Sequence, residues 1–294
     1  MKLKKKILFF GATSFAADEL VNTLKNKYEI INLSRSKKKG LKNINFNLKK
    51  INNSIKKINK LKNVEYLIYF SSFVPLREKS SNLNECFSAN VYSLIELLIK
   101  LEIKPKKIVL ASSGSIYGNS EKIVNEKSFL HLENNYSISK YLQENIIRIY
   151  CRDKNIKFLS LRIGYVYNKN LNKKRIINVI INKIKNKKNF KVYNQEKLIF
   201  NLIHSKDIAY LTDKILVSGQ GIFNLVNNEN LSLKKMIRII LQNLNKKMKY
   251  RNQNIKSFKR NSIISSSKLF KKYKIRAKIK FNEGLKDLIW KIRF

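Results

Sequence analysis

The segment "YSISK" places a phenol, Tyr136, and an amine, Lys140, four residues apart. On a helix that spacing sets both side chains on one face. A free phenol titrates near ~10, too high for efficient proton exchange at neutral pH, and an ammonium group beside it stabilises phenolate and lowers that value. The pair therefore has the makings of a general acid and base. The same spacing also describes a tyrosine packed beside a solvated lysine. Upstream, "VLASSGSIYG" ends an apolar run in a polar turn that carries Ser113. Nearer the start, "FFGATSFAAD" puts Gly11 where a strand gives way to a loop, then Ser14, whose hydroxyl and N–H suit a phosphate, then Ala17, small enough for close packing of helix on strand. These are the needs of a dinucleotide-binding turn, although further glycines would be usual at the last two positions. An ordinary strand-to-helix turn with Ser14 as its cap fits the same residues.

Groups so far apart in sequence need a scaffold that gathers them. Apolar runs at Ile7–Phe10, Glu29–Leu33, Tyr66–Phe70, Lys107–Ala111 and Lys157–Arg162 read as buried strands of a parallel sheet. Helical patterns lie between them. In "NLKKINNSIKKINKLKN", Leu48, Ile51, Ile55, Ile58 and Leu61 form one apolar stripe under a lysine-rich back. A helix lying on a membrane surface would share that pattern, but the placement between two strands favours a crossover helix. Beyond about residue 165 the helical segments "RIINVIINKI" and "SLKKMIRIILQNL" alternate with short strand-like pieces. The expected fold class is α/β, a doubly wound parallel sheet over residues 1–165, with a smaller α/β lobe over 166–294 that interleaves with the first.

The chain of 294 residues is long enough for that architecture, and its 63 Lys and Arg against 19 Asp and Glu give a formal charge of +44. Lys, Asn, Ile, Phe and Tyr are abundant while Gly (8) and Pro (2) are scarce, which is what A/T-rich codons produce. The lysines are spread along the chain, so they single out no nucleic-acid partner, yet their field attracts anions such as nucleotides. Cys86 and Cys151 have no CxxC or Cys/His spacing, so neither a disulfide framework nor a metal site is expected, and a cytoplasmic location is. "MKLKKKILFFGATS" starts like a signal peptide, but its apolar stretch is too short and lacks a small-residue cleavage site, so it reads as the first strand. No apolar run approaches the roughly 20 residues that span a bilayer.

In the order of these motifs the chain resembles the extended short-chain dehydrogenase/reductase superfamily, in particular its NAD(P)-dependent nucleotide-sugar epimerase/dehydratase branch. "GATSFAA" looks like the glycine-rich turn of that branch, "YFSS" like the end of strand four beneath the cofactor, and "ANVYSLIELL" like the next helix with its asparagine, Asn90. "SSGSIYG" and "YSISK" resemble the catalytic motifs, and "LRIGYVY", "NLIHSKDIA", "GIFNLVNNENLSLKKMI" and "FNEGLKDLIW" follow in the family's order. The resemblance implies a Rossmann fold and a hydride-transfer enzyme acting on a nucleotide-activated sugar. Tyr136 would be the general acid/base, Lys140 would lower its pKa and bind the nicotinamide ribose, and Ser113 would hold the reacting oxygen. Cofactor contacts are then expected from Gly11, Thr13, Ser14, Phe15, Ala16, Ser34, Arg35, Asn47, Phe70, Ser71, Ser72, Asn90, Tyr136 and Lys140, and substrate contacts from Ser113 and Tyr165.

Several details refine this expectation. The second strand ends in "NLSRSKKK", with Ser34 and Arg35 in place of the acid that would grip an adenosine ribose, which favours NADP over NAD. Asn47 stands where the family commonly has an acid near adenine. Tyr165 replaces the substrate-contacting asparagine, Asn168 a glycine, and Phe200 a common arginine, so the sugar's pose departs from the usual one. Gly114 and Ser115 follow Ser113 where a dehydratase carries an acidic pair, which disfavours dehydration and leaves epimerisation and reduction open. His204 reads as a packed or surface residue, and Asp207 as a helix cap. The resemblance also admits a homodimer through an intermolecular helix pair. Two other classes fit part of the sequence: a redox-silent NAD(P)-binding regulator, suggested by the altered turn and Tyr165, and a basic nucleic-acid-binding protein, suggested by the charge.

Overall fold

A computed structural model of the chain describes residues 4–47, 50–75, 82–169, 175–187, 190–255 and 261–290. The first half alternates strand and helix: β1 (Lys6–Phe10), α1 (Asp18–Leu24), β2 (Glu29–Ser34), β3 (Lys42–Asn45), α2 (Asn52–Asn59), β4 (Val64–Tyr69) and α3 (Asn82–Phe87). A π-helical turn, Ser88–Tyr92, joins α3 to α4 (Ser93–Lys100). There follow β5 (Lys107–Ser113), a short 3-10 turn (Gly114–Tyr117), β6 (Ile123–Val124), α5 (Asn135–Asp153), β7 (Lys157–Ile163) and β8 (Tyr165–Tyr167). The remainder holds α6 (Ile176–Lys185), β9 (Lys191–Tyr193), β10 (Ile199–Phe200), β11 (Leu202–His204), α7 (Ser205–Ile215), β12 (Gly221–Leu225), β13 (Leu231–Ser232), α8 (Leu233–Asn243), β14 (Arg251–Gln253), β15 (Ile263–Ile264), α9 (Ser267–Tyr273) and α10 (Phe281–Trp290).

Seven strands form the central sheet in the order β12-β7-β5-β4-β1-β2-β3, every pair parallel. The apolar runs are continuous because helices cover both faces of this sheet, so alternate residues of one strand enter different cores. Ile7 and Phe9 of β1, with Tyr66 and Ile68 of β4, pack against α1 and α7. Leu8 and Phe10, with Leu67 and Tyr69, pack against α2, α4 and α5. From the apolar stripe, Ile51, Ile55 and Ile58 enter this second core and Leu61 packs at its margin, so the segment is a crossover helix; Leu48 lies outside the described residues. A third core, built from α6, α8 and α10 with Phe190, Val192 and Phe200, fills the smaller lobe.

The strand order reverses between β1 and β4, one leading outward through β2 and β3 and the other through β5 and β7. In doubly wound sheets such a reversal opens a crevice beyond the carboxyl ends of the strands. Gly11 follows β1 and Ser113 closes β5 at that edge.

Candidate active site

Gly11 adopts φ +80°, and its N–H donates to the Leu33 carbonyl at 2.9 Å. A Cβ there would come within 2.9 Å of both the Phe70 carbonyl carbon and the Ser71 nitrogen, so only glycine lets the turn lie against the end of β4. The turn then folds on itself: Ser14 N–H donates to the Gly11 carbonyl at 2.9 Å, and Ala17 N–H to the Ser14 carbonyl at 3.0 Å. The Ser14 hydroxyl is buried with no hydrogen-bond partner among the described residues. A glycine cradle beside an unsatisfied hydroxyl, at the reversal of the sheet, suits the phosphates of a dinucleotide. Thr13 is exposed, and Phe15 and Ala16 are half-buried on the same turn.

Helix α5 positions the phenol and the amine. Asn134 accepts from Ser137 N–H at 2.7 Å, and the Ser137 hydroxyl accepts from Asn134 N–H at 3.2 Å, a reciprocal cap that fixes the first turn. Tyr136 lies on that turn, half-buried and beside Ser113. Burial pushes the phenol up to about 12, against the pull of Ser113 and of the positive charge of Arg175. Ser113 accepts from Ser115 N–H at 3.1 Å and shares a hydrogen bond with the Ser115 hydroxyl at 2.9 Å, which locks its side chain.

Lys140 is buried, and its ammonium donates to Ser72 Oγ at 2.9 Å and Gln143 Oε1 at 2.6 Å. Gln143 in turn donates to the Asn90 carbonyl at 2.7 Å. The Asn90 side chain donates to the Ser139 hydroxyl and the Phe73 carbonyl, both at 3.0 Å, and accepts from Phe73 N–H at 2.6 Å. Asn90 sits in the π-helical turn, where the widened ladder leaves its carbonyl open to a side chain from α5. The result is a continuous polar chain that pins the loop after β4 to the helix carrying Tyr136 and Lys140.

Burial moves Lys140 from an ordinary 10.5 down to about 7, with the Glu144 carboxylate opposing. Between those values the unfolded chain holds a proton that the folded chain releases, so this group makes stability rise with pH from about 7 upward. We expect roughly 2 kcal/mol of extra stability between pH 7 and pH 9 that is missing from Lys140→Met, measured as the change in urea midpoint. Lys107, held at about 8 by burial, contributes alike to both proteins, so the difference isolates Lys140.

The remaining expected residues are spread along the same edge. The Ser34 hydroxyl turns inward to Asn32 Oδ1 (2.9 Å) and the Ser36 carbonyl (2.7 Å), while Arg35 is exposed. Asn47 follows β3, and its carbonyl accepts from Lys50 N–H at 3.0 Å. The Phe70 ring packs 5.4 Å from that of Phe9 in the core, while its carbonyl carbon lies against Gly11. Tyr165 opens β8, its hydroxyl accepting from Ile176 N–H at 3.2 Å and its ring meeting Phe200 edge-on at 5.4 Å.

His204 is buried against Tyr167 at 5.0 Å, and its Nδ1 accepts from Lys206 N–H at 3.2 Å, so it, and not Asp207, caps α7. Burial holds its imidazole down to about 4. The Asp207 carboxylate instead accepts from the N–H groups of Lys278 (3.0 Å) and Ile279 (2.9 Å), tying the segment before α10 to α7. A contact to backbone 71 and 72 residues away leaves no trace in a local pattern. Asn168 donates to the Phe15 carbonyl at 2.9 Å, and Gln143 and Arg175 are further candidate site residues that the motifs do not reveal. Gln143 alone had a local signal, a polar residue three positions after Lys140 on the buried face.

Among the described residues no three His, Cys, Asp or Glu side chains gather as a metal site, and no helix is long and apolar enough to cross a membrane. Comparison with known proteins agrees with this fold. Similarity to the Escherichia coli dTDP-4-dehydro-6-deoxyglucose reductase runs over 192 residues at 29% identity, 63% of this chain and 61% of that protein. The UDP-glucose 4-epimerase of Thermotoga maritima, solved with UDP-glucose, superposes with a TM-score of 0.87 at 18% identity over 98% of each chain. The Thermus thermophilus UDP-glucose 4-epimerase complex with NAD gives 0.87 at 18% identity, over 98% of this chain and 99% of that one. With residues 7–225 matched as a unit, from the glycine turn through Tyr136 and Lys140 to the last strand of the sheet, the chain belongs to the NAD dependent epimerase/dehydratase family.

Proposed function

We propose that the protein is an NAD(P)-dependent epimerase or reductase acting on a nucleotide-activated sugar, with Tyr136 exchanging the proton. What supports this reading is Tyr136 beside Ser113 at the carboxyl edge of the sheet, with Lys140 one turn further along α5 and joined through Ser72 to the strand end that touches Gly11. Residues 166–294, apart from α7, β12 and α9, which pack into the layers of the central sheet, supply the substrate lobe. Family membership and the likeness to sugar-nucleotide enzymes of the same fold support it.

The residues present fit a dinucleotide. Gly11, Thr13, Ser14, Phe15 and Ala16 would hold its pyrophosphate, Ser34, Arg35 and Asn47 its adenosine end, and Ser71, Ser72, Asn90, Tyr136 and Lys140 its nicotinamide ribose. When bound, it supplies hydride transfer at the sugar carbon. This chain's side chains do the rest. Ser113 holds the sugar oxygen against the phenol, and Tyr136 takes or returns the proton. Lys140, in its charged form, favours phenolate, as does Arg175. With no acid after β2 and an exposed Arg35, NADP is the preferred partner. Exposed Tyr92, Ile95 and Ile99 on and beside α4, with Ile149 on α5, supply an apolar face for a homodimer. Two buried cysteines without a disulfide suit the cytoplasm.

Incubating the protein with NADP or NAD and a panel of UDP- and dTDP-sugars tests the reading. Isomerised sugar without net change in cofactor absorbance indicates epimerisation, and oxidation of the reduced dinucleotide in step with ketosugar loss indicates reduction. Dinucleotide binding with no turnover of any sugar overturns the enzymatic reading, and tighter binding of NAD than NADP overturns the cofactor preference.

A further inference from the structure

Arg175 precedes α6, and its guanidinium carbon lies over the Phe15 ring at 4.8 Å and near the Tyr165 ring at 5.7 Å. Phe15 belongs to the glycine turn and Tyr165 to the smaller lobe, so this one side chain bridges the two walls of the crevice. Its positive charge also opposes the burial that raises the pKa of the Tyr165 hydroxyl. Its position is held from several sides: Ile176 N–H fixes that same hydroxyl at 3.2 Å, Phe200 buttresses the Tyr165 ring, and Asn168 ties the lobe to the Phe15 carbonyl. The three aromatic and guanidinium groups line a small cavity together with Tyr167, Asn168 and Asn178.

A half-buried guanidinium normally has a carboxylate. Arg162 has Glu144 at 2.7 Å, whereas no described carboxylate pairs with Arg175. Stacking on rings stabilises the cation and orients its plane, and it leaves N–H donors of the fork for a bidentate acceptor. The other polar side chains around it, Tyr165, Tyr167, Asn168 and Asn178, are neutral phenols and amides, which cannot balance the charge. The same charge opposes the burial that raises the Tyr136 phenol, and the Phe15 and Tyr165 rings hold it between the glycine turn and the smaller lobe.

We propose that Arg175 is the substrate-reading cation of this site, taking a pair of anionic oxygens borne by the nucleotide sugar. It rests on the sugar-nucleotide reading above. Those oxygens come from the diphosphate or from a carboxylate on the sugar, and the test separates the two. It is calorimetric titration of the intact, dinucleotide-saturated protein with UDP, dTDP, UDP-glucose, dTDP-glucose and UDP-glucuronate, for the wild type, Arg175→Gln and Arg175→Lys. Arg175→Gln is expected to weaken sugar-nucleotide binding at least about tenfold while the dinucleotide Kd stays within about twofold. Arg175→Lys, which keeps the charge and loses the fork, is expected to fall between and serves alone if Arg175→Gln does not fold. An equal loss for the bare nucleotides and all sugars assigns the diphosphate; a loss confined to UDP-glucuronate assigns a carboxylate. Unchanged binding in a folded variant, or a loss confined to the dinucleotide, overturns the assignment and leaves the enzymatic reading standing. A wild type that takes the dinucleotide and none of these probes overturns both.

Discussion

Tyr136→Phe is expected to lower turnover of the active sugar nucleotide by about a thousandfold or more, with dinucleotide affinity nearly unchanged. The substitution deletes one oxygen and keeps the ring, so the packing of the first turn of α5 survives. What disappears is the group that gives and takes the proton, and general acid–base catalysis contributes typically ~100- to 10,000-fold. The upper part of that range is expected here because Ser113 is tied to Ser115, and Lys140 is committed to Ser72 and Gln143. The phenol is pushed up to about 12 by burial, so the positive charge of Arg175 has much to offset. Single-turnover absorbance of the dinucleotide at saturating sugar, beside calorimetric dinucleotide titration, measures both quantities. A variant within about tenfold of wild type would remove Tyr136 from the chemistry and point to a proton carrier elsewhere in the crevice.

The second large effect lies behind the site. Glu144 and Arg162 are a buried pair: the Arg162 guanidinium donates to the carboxylate at 2.7 and 3.2 Å, and Ser160 adds a bond at 2.7 Å. Arg162 also donates to the Tyr117 hydroxyl at 2.8 Å and lies over that ring at 5.2 Å, while Tyr117 donates to Asn224 at 2.8 Å. Truncating Glu144 to Ala leaves a desolvated guanidinium without a counter-charge and should cost about 3–5 kcal/mol. Arg162→Met in the same background removes the stranded charge and should restore much of the loss, since apolar replacement of a whole buried pair is often neutral. Urea midpoints of the wild type, the single variants and the double variant give the coupling directly. If Glu144→Ala alone costs under about 1 kcal/mol, the pair is solvated in a way its burial does not suggest.

The central sheet was readable because its strands are buried on both faces and therefore apolar without interruption. β1, β2, β4, β5 and β7 match the expected runs to within a few residues. β3 escaped notice because it is the outer strand and its sequence, "KNIN", carries polar residues toward solvent. The helix expected around Asn90 is broken by a π turn, a register shift with no signature in side-chain periodicity. Ser113, Tyr136 and Lys140 were legible because each sits in a short motif. Arg175 was not: its partners, Phe15 and Tyr165, are 160 and 10 residues away, and a single arginine among dozens of basic residues has no local mark. The same excess of lysine that hides Arg175 also hides Lys107, which is fully enclosed and donates to the Leu216 and Val217 carbonyls at the end of α7.

β12 enters the sheet only at residue 221, yet it supplies the outer partner of β7 and follows α7, which shields α1. A nascent chain leaving the ribosome therefore exposes a long apolar strand margin and an uncovered helix face until more than 220 residues have been made. During that interval it is a natural client for chaperones, and a ribosome stalled before β12 releases a sticky, incomplete product instead of a smaller working one.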